Sequence, residues 1–212
     1  MKEQTKTVLK VAVATVAWCA VHSLFASHKA KQTVKEAAGE DFYRRFYRPF
    51  YNLQSVGTLL LLGSYTRKLP DTSLFKTEGK TADLIRIGQG ISIAYFAWGV
   101  YHVKQSRLSG IQDMIAKKPQ EQEGHGPTLT PDGTLDISGA YRHSRHALNF
   151  AAIPPIWLFP RMGSKHATFN VIATIYFWLG SLHEEKRQRD AYGEQYERYR
   201  KSGVPFFFPR RR

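Results

Sequence analysis

The sequence predicts an all-α fold: a polytopic membrane helical bundle of about five transmembrane helices, with a cytoplasmic helical extension at the C-terminus. Three observations predict it. Five apolar stretches stand out, at 8–26, 50–66, 84–103, 147–162 and 167–182. Each is near the roughly 20 residues that a helix needs to cross a bilayer. The charge, 31 Lys+Arg against 17 Asp+Glu, sits almost wholly between them. The mean hydropathy of −0.39 points instead to a soluble chain with buried core helices. Long polar connections between apolar stretches account for that average.

The first stretch starts after Lys2 and Lys6 and runs to Ala26. Its basic start and apolar run resemble a secretory leader, but Trp18 before Cys19 is a poor lipoprotein cleavage context and the run continues through His22, so a retained helix is expected. Cys19 is the single cysteine, which excludes an internal disulfide and a multi-thiolate metal site. The second, fourth and fifth stretches are short. Arg86 and Gln89 interrupt the third, and Pro154-Pro155 the fourth.

Orientation follows from the basic residues, which concentrate at 28–49, 104–145 and 186–212. The positive-inside bias then places the C-terminus in the cytoplasm and the N-terminus outside. The Lys2, Lys6 and Lys10 cluster pulls locally the other way. No internal repeat is present, and one integral-membrane domain over 1–212 is expected. It comprises N-terminal helices at 7–104, a mobile polar loop at 105–138 and a functional region at 139–209. Gly124, Gly126-Pro127 and Pro131-Asp132-Gly133 break up the loop.

The chemistry lies in the last third. The fifth stretch runs into His183-Glu184-Glu185 with no breaker, so its helix is expected to leave the bilayer still helical. Glu185, Arg189, Tyr192, Tyr196 and Tyr199 then share one helical face. Such a face suits an amphipathic cofactor with a cationic head and an aromatic base; it equally suits an interfacial helix anchored by tyrosines. Tyr141, Arg142, His143, Arg145 and His146 gather before the fourth stretch, and the apolar hairpin brings them to the side of Glu184 and Glu185. No Gly-x-Gly-x-x-Gly fingerprint occurs, since Gly88-Gln89-Gly90 lacks a third glycine. The basic tail Arg210-Arg211-Arg212 has no accompanying module, so nucleic acid is not an expected partner.

Arg145-His146, the hairpin, Glu184-Glu185, Gly193, Tyr196, Tyr199 and Pro209 resemble the signature of the membrane-embedded isoprenylcysteine carboxyl methyltransferase-like family, which includes bacterial methyltransferases of thiols and phospholipids. The resemblance covers residues 139–209. It implies an S-adenosylmethionine-dependent methyltransferase in a bacterial inner membrane, acting at the cytoplasmic face on a small or lipophilic acceptor. It also implies a cofactor site of Tyr141, Arg145, His146, Glu184, Glu185, Tyr196 and Tyr199, with no metal and no assigned catalytic residue. Arg145 and His146 would face the methionine carboxylate or the cofactor's edge. Glu185, with Glu184 beside it, would meet amino or ribose hydroxyl groups, and the two tyrosines would wall the pocket. The chain departs from the pattern at Ala147, where proline is usual, at Asn149, where tyrosine is common, and at Gln188 and Arg189, where leucines are common.

A second resemblance lies near the N-terminus. His22-Ser23-Leu24-Phe25-Ala26 and Tyr47-Arg48-Pro49-Phe50-Tyr51-Asn52 are similar to NnrU-type membrane proteins, relatives of the same fold associated with nitrogen-oxide metabolism and with a haem-containing isomerase. That alternative implies haem b, with His22 as an axial ligand and His102, His146 or His183 as the second. A non-enzymatic membrane subunit of the same fold is the remaining alternative.

Overall fold

The structure, a computed structural model, describes residues 2–102, 109–117 and 126–210. Parts of the 105–138 segment expected as a mobile loop, and Arg211-Arg212 of the basic tail, lie outside the described residues. The chain divides into two compact units. The first comprises Met1–Leu74, Gln105–Glu123 and Gly163–Ile172; the second comprises Phe75–Lys104, Gly124–Met162 and Ala173–Arg212.

In the first unit, α1 (Glu3–Ala26) packs on α3 (Glu40–Arg67). Its buried face is Thr7, Val11, Thr15 and Cys19, small residues four apart, the spacing that stacks side chains on one side of a helix. Thr15 Oγ1 donates back to Val11 O at 2.7 Å, so its hydroxyl is satisfied inside the packed face. Ser27 ends α1 and starts α2 (His28–Ala38) by accepting from Ala30 N, an N-cap. Gly39, with φ 88, turns the chain into α3. There Glu40 and Asp41 pair with Arg44 and Arg45 one turn on. Arg45 Nη1 also donates to Ala116 O at 2.8 Å, capping α5 (Ile111–Ile115). Lys165 Nζ reaches Thr66 O at 3.0 Å and Leu69 O at 2.6 Å, closing the end of α3. In return Asp71 Oδ1 accepts from Ser164 Oγ and Lys165 N at the start of α8 (Ser164–Tyr192).

In the second unit, α4 (Gly79–His102) packs on a 3₁₀ turn (Gly139–Arg142), α6 (Ala147–Ala151) and α7 (Ile153–Trp157). A Cβ at Gly99 would lie 2.9 Å from Leu148 Cδ2, so the glycine permits the approach of α4 and α6. β1 (Ser73–Lys76) and β2 (Arg161–Gly163) form a two-stranded sheet. The rest of α8 follows, then α9 (Glu194–Lys201) and an extended tail.

One expectation is corrected here and another is met only in part. The fourth apolar stretch is not a single span: it is divided into α6, α7 and a turn leading to β2, because Pro154 and Pro155 have no N–H to continue the ladder from α6 and instead occupy the first turn of α7. Among the described residues only α1 is long and apolar enough to cross a membrane, with a mean hydropathy of 1.8 over its most apolar window. The helices α3, α4 and α8 have 28, 24 and 29 residues, lengths sufficient to span, but polar residues interrupt them.

Candidate functional site

The site is built where the turn before α6 meets the second half of α8. The latter runs unbroken through His183-Glu184-Glu185, as the absence of a breaker predicts. Its inward face there is Ser181, Glu184, Glu185 and Gln188, with Ser181, Glu184 and Gln188 buried. A buried helix face built of polar side chains requires matching partners, since each unpaired buried group carries a desolvation penalty.

Residues of the Arg-His turn supply most of them. Arg145 Nη2 donates to Glu185 Oε1 and Oε2 at 3.2 and 3.4 Å, while Nη1 donates to Val204 O at 2.7 Å. His146, 3% exposed, lies between the two glutamates: Nδ1 is 3.4 Å from Glu184 Oε2 and Nε2 is 3.3 Å from Glu185 Oε2. Asn149 Nδ2 donates to Ser181 Oγ at 2.9 Å and Glu184 Oε2 at 3.2 Å. Burial pushes the His146 imidazole down, but the flanking carboxylates of Glu184 and Glu185 outweigh it and hold the ring above its ordinary value. Burial pushes Glu185 up, and the His146 hydrogen bond with the Arg145 charge outweighs that, leaving its carboxyl below the usual range.

The C-terminal tail closes over this cluster. Arg145 N donates to Pro205 O at 3.0 Å, Ser144 Oγ to Phe207 O at 2.8 Å, and Arg210 N to His143 O at 3.3 Å. Phe206 meets His146 edge-on at 4.7 Å, lies 5.7 Å from the Arg145 guanidinium, and packs on Trp178 at 5.1 Å. A pocket of about 470 Å³ adjoins the tail, lined by Leu135, Ile137, Ser138, Arg142, His143 and Val204 among others. Val204 is common to this pocket and to the Arg145 hydrogen bonds.

All seven residues expected in the site lie in this unit, but not all as pictured. Glu185, Arg189, Tyr192, Tyr196 and Tyr199 do not share one continuous helix. Gly193, with φ 49, ends α8 and starts α9 in a new direction, and this turns Tyr196 and Tyr199 inward. Tyr196 is 0% exposed. Tyr199 donates its hydroxyl to the carbonyl of Tyr141 at 2.6 Å. Burial raises both phenols far above their ordinary range, so they are neutral donors. Arg145 Nε and the Tyr196 hydroxyl are both buried, and the Arg145 guanidinium interacts with the Tyr196 phenol. Sequence reasoning missed the roles of Ser144, Asn149 and Phe206. Only Asn149 left a signal, as a departure from the resembled pattern.

His22 lies in the first unit. Ser55 Oγ donates to Tyr51 O and so accepts from His22 Nδ1 at 2.9 Å, while Tyr51 donates its phenol to His22 Nε2. Both ring nitrogens are engaged by protein. Of the second ligands considered, His146 and His183 are in the second unit, and the side chain of His102 lies outside the described residues.

The fold and this cluster define a helical protein with a two-carboxylate, arginine–histidine site. No family model matches the chain, and no solved structure matches it. Among curated proteins it is 33% identical over 200 residues to methanethiol S-methyltransferase 1 of Bradyrhizobium diazoefficiens, covering 90% of this chain and 63% of that one. It is 26% identical over 119 residues to the methanethiol S-methyltransferase of Pseudomonas deceptionensis, covering 55% and 45%. It is 26% identical over 135 residues to that of a Pseudomonas strain, covering 58% and 47%. The chain is thus similar to proteins named methanethiol S-methyltransferase. It spans between 45% and 63% of the length of these relatives.

Proposed function

We propose that the protein is a membrane-embedded, S-adenosylmethionine-dependent methyltransferase whose acceptor is a small thiol or a similarly small, lipophilic nucleophile entering from the bilayer. The observation that carries the reading is the Arg145–Glu185 and His146–Glu184 cluster beneath the C-terminal tail, in a chain related to methanethiol S-methyltransferases.

The residues present fit the cofactor. Two carboxylates, a guanidinium and an imidazole match a ligand carrying both an ammonium and a carboxylate. When bound, S-adenosylmethionine supplies a methyl group already activated on a sulfonium. Glu184 and Glu185 would then hold the ammonium or ribose hydroxyls and Arg145 the carboxylate. The rings of Phe206 and Trp178 favour a nearby cation and exclude water. Tyr141 and Tyr199 hold the turn against α9 through their shared hydrogen bond. What remains for the protein is alignment of donor and acceptor, which can by itself lower a barrier substantially.

Membrane embedding is supported by the exposed apolar rows. α1 is joined by Leu53, Leu60 and Leu61 of α3, with Leu61 69% exposed, and by Leu84, Ile87 and Ile91 of α4, with Ile91 65% exposed. Val171, Ile175, Leu179 and Leu182 form a similar row along α8. Exposed apolar helix faces of this kind fit lipid rather than water. The positive-inside bias supports a cytoplasmic C-terminus in a bacterial inner membrane. Titration calorimetry of S-adenosylhomocysteine into purified, detergent-solubilised protein tests the enzyme reading without knowledge of the acceptor. Saturable one-to-one binding is expected, and its absence would refute the reading.

A further inference from the structure

On the inward face of α8, three of four consecutive members are matched by named partners. Ser181 Oγ donates to Phe177 O and accepts from Asn149. Glu184 accepts from Asn149 and His146, and Glu185 from Arg145 and His146. The fourth is Gln188, one turn beyond Glu184 and Glu185 and 7% exposed, whose Oε1 is buried without a hydrogen-bond partner. Its amide lies directly against the backbone of Gly126, so closely that any Cβ at that position would collide with it. The glycine therefore leaves room for the amide where a larger residue would displace it.

A buried amide oxygen with nothing donating to it carries an uncompensated desolvation penalty, and an apolar side chain of similar size would avoid it. This chain nonetheless holds a glutamine there, in line with the two glutamates. We infer that Gln188 is a further ligand-binding residue, whose Oε1 accepts a hydrogen bond from an N–H or O–H group of the bound methyl donor. It extends the polar face from Glu184 and Glu185 by one helical turn and specifies a ligand with one more donor group than the signature residues alone would hold. This rests on the methyltransferase reading.

The test compares the full chain with Gln188→Leu in two measurements: thermal unfolding without ligand, and calorimetric affinity for S-adenosylhomocysteine. Gln188→Leu is expected to unfold at the same temperature as the unaltered protein or higher, because an unpaired amide has been removed. Its affinity is expected to be about tenfold or more weaker, because a ligand donor has lost its acceptor. Gln188→Met, unbranched and of similar length, should behave alike, and it replaces the leucine variant if that fails to fold. Affinity unchanged within twofold in both variants overturns the inference. So does a parallel loss of stability and affinity, which would make Gln188 a structural residue. If the unaltered protein does not bind S-adenosylhomocysteine at all, the methyltransferase reading fails and this inference with it.

Discussion

Arg145 and Glu185 form a part-buried ion pair between the turn before α6 and the inner face of α8, with one guanidinium nitrogen 3.2 and 3.4 Å from the two carboxylate oxygens. The same Arg145 holds the tail through Val204 O. One side chain thus ties three segments that are far apart in sequence. If Glu185 also complements the cationic part of the methyl donor, Glu185→Gln should weaken S-adenosylhomocysteine binding by about 1.5 to 3 kcal/mol, the worth of a charge-assisted hydrogen bond. Lys186 is exposed, and Lys186→Gln should change binding little. Calorimetry on both variants checks this, and equal affinities for Glu185→Gln and the unaltered protein would remove Glu185 from the site.

The cluster should also give stability a characteristic pH dependence. His146 is raised above its ordinary value of 6.5 by Glu184 and Glu185. Its contribution is therefore complete below about 6.5 and is lost as pH rises through the higher folded value. Glu185 is held below 4.5 by His146 and Arg145. Its contribution is present above 4.5 and is lost as pH falls through the lower folded value. Unfolding measured from acid to alkaline pH should show greatest stability between these ranges, and His146→Gln should flatten the neutral-to-alkaline decline. An unchanged slope in the variant would show that His146 does not titrate between the two glutamates.

Ser144 is wholly buried and links the tail to the turn: it donates to Phe207 O, and His146 N donates to it at 3.2 Å. Ser144→Ala leaves the His146 N–H and a tail carbonyl without that partner. Denaturant unfolding should show a loss of about 1 to 3 kcal/mol, the penalty for an unsatisfied buried group. A loss below a few tenths would mean that Ser144 adds little to the hold that the Arg145 and Arg210 hydrogen bonds and the phenylalanines already have on the tail.

The charged half of the site was legible in the sequence because its chemistry is local. Arg145-His146 and Glu184-Glu185 are adjacent pairs, and a hairpin between two apolar stretches brings such pairs together. The matching half was not. Ser144 meets Phe207, Asn149 meets Ser181 and Glu184, and Phe206 meets His146, each partner more than 30 residues away, and no spacing along the chain encodes a match of that kind. Two errors had visible warnings. Gly193 follows the last periodic turn of α8, a common helix stop, and the tyrosine face that the spacing predicts ends there. Pro154-Pro155 marked the division of the fourth apolar stretch, whose hydropathy alone suggested a span.

Topology gives a further expectation. With basic residues concentrated at 28–49, 104–145 and 186–212, reporter fusions after Arg212 and within residues 67–80 should report opposite sides of the membrane. Both reporters on one side would overturn the arrangement of spans while leaving the soluble-face cluster untouched.

The last expectation separates the two cofactors that the sequence resemblances raise. An axial haem ligand needs a ring nitrogen free for iron, and His22 offers neither without cost: Nδ1 is bound to Ser55 and Nε2 accepts from Tyr51. Iron at Nε2 would have to displace the Tyr51 phenol and break that hydrogen bond. Protein purified from haem-replete cells should therefore lack a Soret band in stoichiometric amount, and His22→Ala should leave S-adenosylhomocysteine affinity within a few fold. The measurement is an absorbance spectrum with a haem-to-protein ratio for both proteins. A ratio near one that collapses in His22→Ala would assign the chain to the haem-dependent alternative, with the Tyr51 hydrogen bond broken when iron binds.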